Sequence, residues 1–209
     1  MNGIDGKLDS YKTISAIAEG YITEQRSKFI SFAIPVQNAE EVKEIVDQYR
    51  KKYYDARHAC WAYMLGADRL QFRVNDDGEP SSTAGKPILG VINSNELTDI
   101  LIVVIRYFGG VKLGTSGLIV AYRAAAQDAV QKAEIIEKTV DEDIRIVFEY
   151  PFLNGVMRVI KEDNPQIISQ VFEMDCEMTL RIRQSEADKL KARLLKVESL
   201  RILDEKFTS

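Results

Sequence analysis

The sequence predicts an α+β protein of two domains, 1–138 and 139–209. Three observations carry this. A β-branched run, Ile100 to Ile105, leads into a glycine-rich turn and then a long alanine-rich helical stretch. The acidic pair Glu142-Asp143 interrupts the apolar periodicity and marks a boundary. From Ile144 onward, strand-like and helix-like patterns follow one another in βαββαβ order, that of the ferredoxin-like split βαβ motif.

Composition is consistent with that class. The 209 residues suit one large or two ordinary domains, and an apolar share of 45% can supply their cores. The net charge of −4 argues against a strongly basic nucleic-acid protein. Neither half is basic: residues 1–140 hold 17 Lys/Arg against 18 Asp/Glu, and residues 141–209 hold 11 against 14. A local basic groove stays open. No apolar run approaches the roughly 20 residues that span a bilayer, and the start MNGIDGKLDSY lacks a signal-peptide pattern. The expected location is the cytoplasm.

In chain order, Tyr11–Ile17 and Phe29–Val36 read as the arms of a long hairpin, with polar Glu24–Lys28 at its turn. Asn38 caps a helix in which Glu41 sits at the capping-box position, and Val42, Ile45, Val46 and Tyr49 form one apolar face. Asp55–Leu65 reads as a strand and Leu70–Val74 as a second. The polar stretch Asn75–Pro87 is rich in turn-forming residues and longer than a hairpin needs. A short helix over 84–95 precedes the central strand. Thr115 or Ser116 is the expected N-cap of the helix that follows, which should end near Glu137.

In the second domain, Ile144–Phe148 is a strand, Leu153–Glu162 a helix, and Ile167–Met174 with Met178–Arg183 a hairpin. Ser185 begins another helix, with Asp188 as its capping acid and Leu190, Leu194, Leu195 and Val197 facing inward. Leu200–Phe207 is the last strand.

Chemistry-bearing residues gather in two places. Gly109, Gly110, Gly114 and Gly117 punctuate the turn beside Thr115 and Ser116, with Arg106, Lys112 and Arg123 flanking it and Lys86 able to join. Cations around a helix N-terminus can hold phosphate oxygens. The turn is neither a Walker A loop nor a G-x-G-x-x-G fingerprint, and the glycines equally suit close packing of helix on sheet. In the polar loop, Asp76, Asp77 and Glu79 suit Mg²⁺ or general acid–base work, or a turn in which Asp side chains bind local N–H groups. His58 and Cys60 are too few for a structural zinc site, and Cys60 and Cys176 fall in different domains, against a disulfide. No nucleophilic triad is apparent, since His58 is the sole histidine. Tyr107, Phe108 and Tyr122 are aromatics that could stack on bases, although the spacing of Tyr122 also suits a core position.

These residues resemble a known family. Asp76-Asp-Gly-Glu-Pro80, Thr83-Ala-Gly-Lys-Pro87 and Arg106-Tyr-Phe-Gly-Gly-Val-Lys-Leu-Gly114, followed by Gly117-Leu118 and Ala121-Tyr122, resemble the YigZ/IMPACT family in its bacterial two-domain form. Asp55-Ala-Arg-His58 and Arg26-Ser-Lys-Phe29 match as well, so the resemblance covers about residues 15–130. Val120 departs from an arginine found in many members, and Ser82 from a glycine frequent in bacterial ones. The resemblance implies a ribosomal protein S5 domain 2-like N-terminal domain, like domain IV of elongation factor G, and a C-terminal domain like its domain V. It implies translation control in the eukaryotic relatives, through a coactivator of an initiation-factor kinase. For this chain the expectation is a non-enzymatic, translation-associated protein that binds RNA or the ribosome, without a cofactor. The other reading is an enzyme or binder of a phosphorylated small molecule or nucleotide at the glycine turn.

Overall fold

The computed structural model describes residues 9–203, which divide into two compact units: Tyr11–Lys138, and residues 9–10 with 139–203. The described residues form a mixed α/β fold with three sheets.

Through the first unit the order is β1 (Ser10–Ile14), β2 (Ala18–Glu24), β3 (Ser27–Pro35), α1 (Ala39–Lys52), β4 (His58–Leu65), β5 (Gln71–Asn75), α2 (Gly85–Ser94), β6 (Ile100–Tyr107), α3 (Gly114–Lys132) and β7 (Ile135–Thr139). Five strands form an antiparallel sheet in the order β2-β3-β6-β4-β5. Strand β6 sits at its centre because both its faces are apolar. Ile100, Ile102 and Val104 join one core with α2 and α3, while Leu101, Val103 and Ile105 join a second core with Val42 and Val46 of α1. The period-2 alternation of a strand thus feeds two layers of helix at once.

Helix α1 starts where its cap residues place it. The Glu41 N–H donates to Asn38 Oδ1 at 2.9 Å, and the Glu41 carboxylate accepts from Gln37 N at 2.8 Å. Helix α2 is capped from a distance: Asp76 Oδ1 accepts from Ala84 N and Gly85 N at 3.0 and 2.8 Å.

Three expectations for this unit change. The partner of β3 in the hairpin is β2, not Tyr11–Ile17, because β1 pairs instead with β7. The central helix therefore stops at Lys132, short of Glu137: Ala133 turns extended (ψ 144°), and Ser15 N donates to Glu134 O at 3.0 Å. Thr115 and Ser116 do not cap α3. Gly114, at φ +69°, turns the chain into the helix one residue earlier, leaving Leu113 at the N-cap position with no side-chain bond.

The second unit runs β8 (Asp141–Glu149), a 3-10 turn (Tyr150–Phe152), α4 (Leu153–Asp163), β9 (Gln166–Phe172), β10 (Asp175–Arg183), α5 (Gln184–Leu194) and β11 (Arg201–Leu203). The strands form an antiparallel sheet ordered β11-β8-β10-β9. Alternate residues of β8 and β10, among them Ile144, Ile146, Phe148, Met178 and Leu180, pack with Val156 and Ile160 of α4 and Leu190 and Leu194 of α5. Ser185 does not cap α5, since its hydroxyl donates to Asp9 Oδ1 at 2.7 Å. Leu195, past the end of α5, is 57% exposed rather than inward. The last strand covers Arg201–Leu203, and residues 204–207 of the expected strand lie outside the described residues.

Candidate anion-binding cavity

The site grows from one strand pairing. His58 opens β4 and Arg106 nears the end of β6, and the two are register partners. The chain leaves β6 through Tyr107-Phe108-Gly109-Gly110 and enters α3 at Gly114. Gly109 holds this exit against the β2–β3 turn: a Cβ there would lie 2.1 to 2.3 Å from backbone atoms of Arg26 and Ser27. Its N–H donates to Ser27 Oγ at 3.2 Å. The loop between β5 and α2 closes over the same end of the sheet.

These elements line an open cavity of about 500 Å³ whose polar lining includes Arg57, His58, Glu79, Arg106, Lys112 and Thr115, with Phe108 and Gly114 beside them. Glu79 and Arg106 are sealed, their side chains 4% and 7% exposed. Arg106 Nη1 donates to Glu79 Oε1 at 2.6 Å, and the Tyr122 hydroxyl donates to the same oxygen at 2.8 Å. Glu79 Oε2 lies 3.8 Å from His58 Nε2. His58 Nδ1 sits 2.7 Å from Asp77 O, and since a carbonyl only accepts, that nitrogen carries a proton. The guanidinium carbon of Arg106 lies 5.6 and 5.8 Å from the rings of Phe29 and Phe108. Its Nε is buried without a partner.

Behind the cavity, the Cys60 thiol donates to Asp76 O at 3.0 Å and lies 3.3 Å from the Tyr122 hydroxyl. Burial, then the charge of nearby Glu79, pushes the thiol's pKa far up, while the Tyr122 contact works the other way. Burial, then Cys60 and Glu79, pushes the Tyr122 phenol up. Both groups are neutral proton donors, so this layer is structural support rather than nucleophile.

Of the residues singled out from sequence, Arg106, Lys112, Gly114, Thr115 and Glu79 line the cavity. Lys86, Gly109, Gly110, Ser116, Gly117 and Arg123 do not; Lys86 and Arg123 are exposed on α2 and α3. The acidic residues take three separate tasks. Asp76 caps α2 and also accepts from Ser82 N at 2.8 Å, Asp77 accepts from Ala59 N at 2.6 Å and pairs with Arg50, and Glu79 pairs with Arg106. No group of three or more metal-ligating side chains converges among the described residues. Tyr122 is fully buried and offers no face to a base, whereas Phe108 is 47% exposed. Arg57 was legible only within the Asp55–His58 stretch; its place opposite the glycine turn depends on the β4–β6 register.

Chemically, the lining carries three cations against one carboxylate. Among the described residues, Arg57 and Lys112 have no ion-pair partner. Helix α3 brings its first turn to the same wall with no side-chain cap, leaving backbone N–H groups for an anion. No helix among the described residues is long and apolar enough to cross a membrane.

Comparison with known proteins agrees with the stretch that builds this cavity. The model of the Impact N-terminal domain matches residues 25–130. The chain is 34% identical over 155 residues to IMPACT family member YvyE of Bacillus subtilis (strain 168), covering 74% of this chain and 71% of that protein. It is 31% identical over 181 residues to an IMPACT family member of Haemophilus influenzae, covering 86% and 88%. A crystal structure titled as a hypothetical protein matches with a TM-score of 0.73 and 28% identity over 96% of this chain and all of the other. With the cavity's residues falling inside the matched domain, the chain belongs to the IMPACT family.

Proposed function

We propose that the protein is a non-enzymatic, translation-associated accessory protein that binds RNA through the cavity of its first unit. The observation that carries the reading is the cavity's excess of cations, Arg57, Arg106 and Lys112 against Glu79, at the uncapped start of α3. Phe108, half exposed on the same lining, offers an aromatic face to a base. Translation control in eukaryotic members of the family supports the setting. The same reading takes the first unit as S5 domain 2-like and the second as ferredoxin-like. The sheet order β11-β8-β10-β9, with α4 and α5 packed on one core, supports the second assignment.

The test is binding of single-stranded RNA across a salt series. Each lost phosphate contact on a single strand flattens the log–log slope by about 0.7, so Arg57→Ala with Lys112→Ala should flatten it by about 1.4. Wild-type protein without salt-dependent binding, or a double variant with an unchanged slope, rejects the reading.

A second reading is favoured by the cavity's size. About 500 Å³ lies within the range of small-molecule pockets. It predicts stabilisation by a phosphorylated metabolite or nucleotide, about 2.7 kcal/mol at 100 times the dissociation constant. A panel of such compounds that leaves the unfolding temperature unchanged removes it.

A further inference from the structure

We infer that the cavity is built for a phosphate monoester, the terminal phosphate of an RNA strand or of a free nucleotide, rather than for a phosphodiester within a chain. The inference uses the cavity of the reading above and rests on that reading where the ester is an RNA end.

Arg106 is the first argument. Its Nη1 is committed to Glu79 at 2.6 Å, yet its Nε is buried with no acceptor, on a side chain 7% exposed that lines the cavity. A buried charged donor without a partner is costly, so this guanidinium gains from an anion held in the cavity that Arg106 lines. The start of α3 is the second. Gly114 and Thr115 share the lining, the helix runs 19 residues, and no side chain caps it. Its free N–H groups and the Thr115 hydroxyl are donors suited to phosphate oxygens.

Charge separates monoester from diester. Arg57, Arg106 and Lys112 less Glu79 leave a net +2 on the lining. A monoester carries about −1.5 to −2 at neutral pH, and a diester carries a single negative charge. Glu79 faces the anion with its charge partly offset, because Oε1 accepts from both Arg106 and Tyr122. Phe108 is placed to stack on the base that the phosphate carries.

The experiment compares one short RNA sequence with 5′-phosphate, 3′-phosphate and hydroxyl ends, by fluorescence anisotropy, with nucleoside monophosphate and inorganic phosphate as competitors. The expected result is binding at least about tenfold tighter for a phosphorylated end, as charge-assisted hydrogen bonds provide. Nucleoside monophosphate should compete. Lys112→Ala and Arg106→Lys should erase the preference; the lysine keeps a cation beside Glu79 but lacks Nε. Equal binding of phosphorylated and hydroxyl-ended RNA overturns the inference and leaves the RNA reading standing. Binding of nucleoside monophosphate without RNA binding supports the monoester site and removes the RNA reading. No binding of phosphorylated RNA, monophosphate or inorganic phosphate overturns the inference, as does a preference that survives both variants.

Discussion

Glu79 and Arg106 meet across 2.6 Å in a wall almost closed to solvent, and Tyr122 donates to the same carboxylate oxygen from α3. The contact joins the polar loop, the central strand and the long helix at one atom. The sequence segments that form it lie 27 and 43 residues apart.

Breaking this pair from one side strands a buried charge. Arg106→Met should lower stability by about 3–5 kcal/mol, while Arg106→Met with Glu79→Leu should recover most of the loss. Denaturant unfolding followed by the fluorescence of Trp61, the only tryptophan and in the same unit, measures it. A double variant no more stable than the single one would show that the pair is not a coupled unit.

Gly109 is held by close approach. Its added Cβ would meet backbone atoms of Arg26 and Ser27 at 2.1 to 2.3 Å, and backbone cannot rotate away. Gly109→Ala should cost about 1–3 kcal/mol and loosen the wall that Phe108 and Lys112 share. Wild-type stability in that variant would mean the β2–β3 turn shifts freely.

Ser82 sits at φ +65°, in the left-handed region where a side chain costs about 1–2 kcal/mol. Ser82→Gly should raise stability by about 0.5–1 kcal/mol, the strain relieved less the chain entropy of glycine. Thermal unfolding of the two proteins decides it, and a loss would place the strain elsewhere.

Cys60 sets a limit on the alkaline side. Its thiol is pushed up chiefly by burial, so the unfolded chain loses the proton first. Stability from this group is complete below the ordinary thiol value of about 8.5 and declines as pH rises above it. Tyr122, also pushed up by burial, adds to the decline above about pH 10. Cys60→Ala should flatten the Trp61-monitored stability profile between about pH 8.5 and 10. A variant profile as steep as wild type would assign that limb to another group.

Local chemistry was enough to place much of this protein from its sequence. The apolar run at β6 and the Asn38 cap of α1 depend on neighbours in the chain, and both elements formed where their patterns put them, while the expected strands Ile144–Phe148 and Met178–Arg183 lie within the longer β8 and β10. The glycine turn and its cations were visible for the same reason. Tertiary structure decided what depends on partners far away in sequence. It gave β1 to β7, and so ended α3 at Lys132. It separated Asp76, Asp77 and Glu79 into a helix cap, a strand-end contact and a buried ion pair. It chose Arg57 over Arg123 for the cavity, because the β4–β6 register brings Arg57 to the end of the sheet while the helical turn carries Arg123 to solvent. A residue's type shows which interactions it can make, and the pairing of distant strands shows which of them it does make.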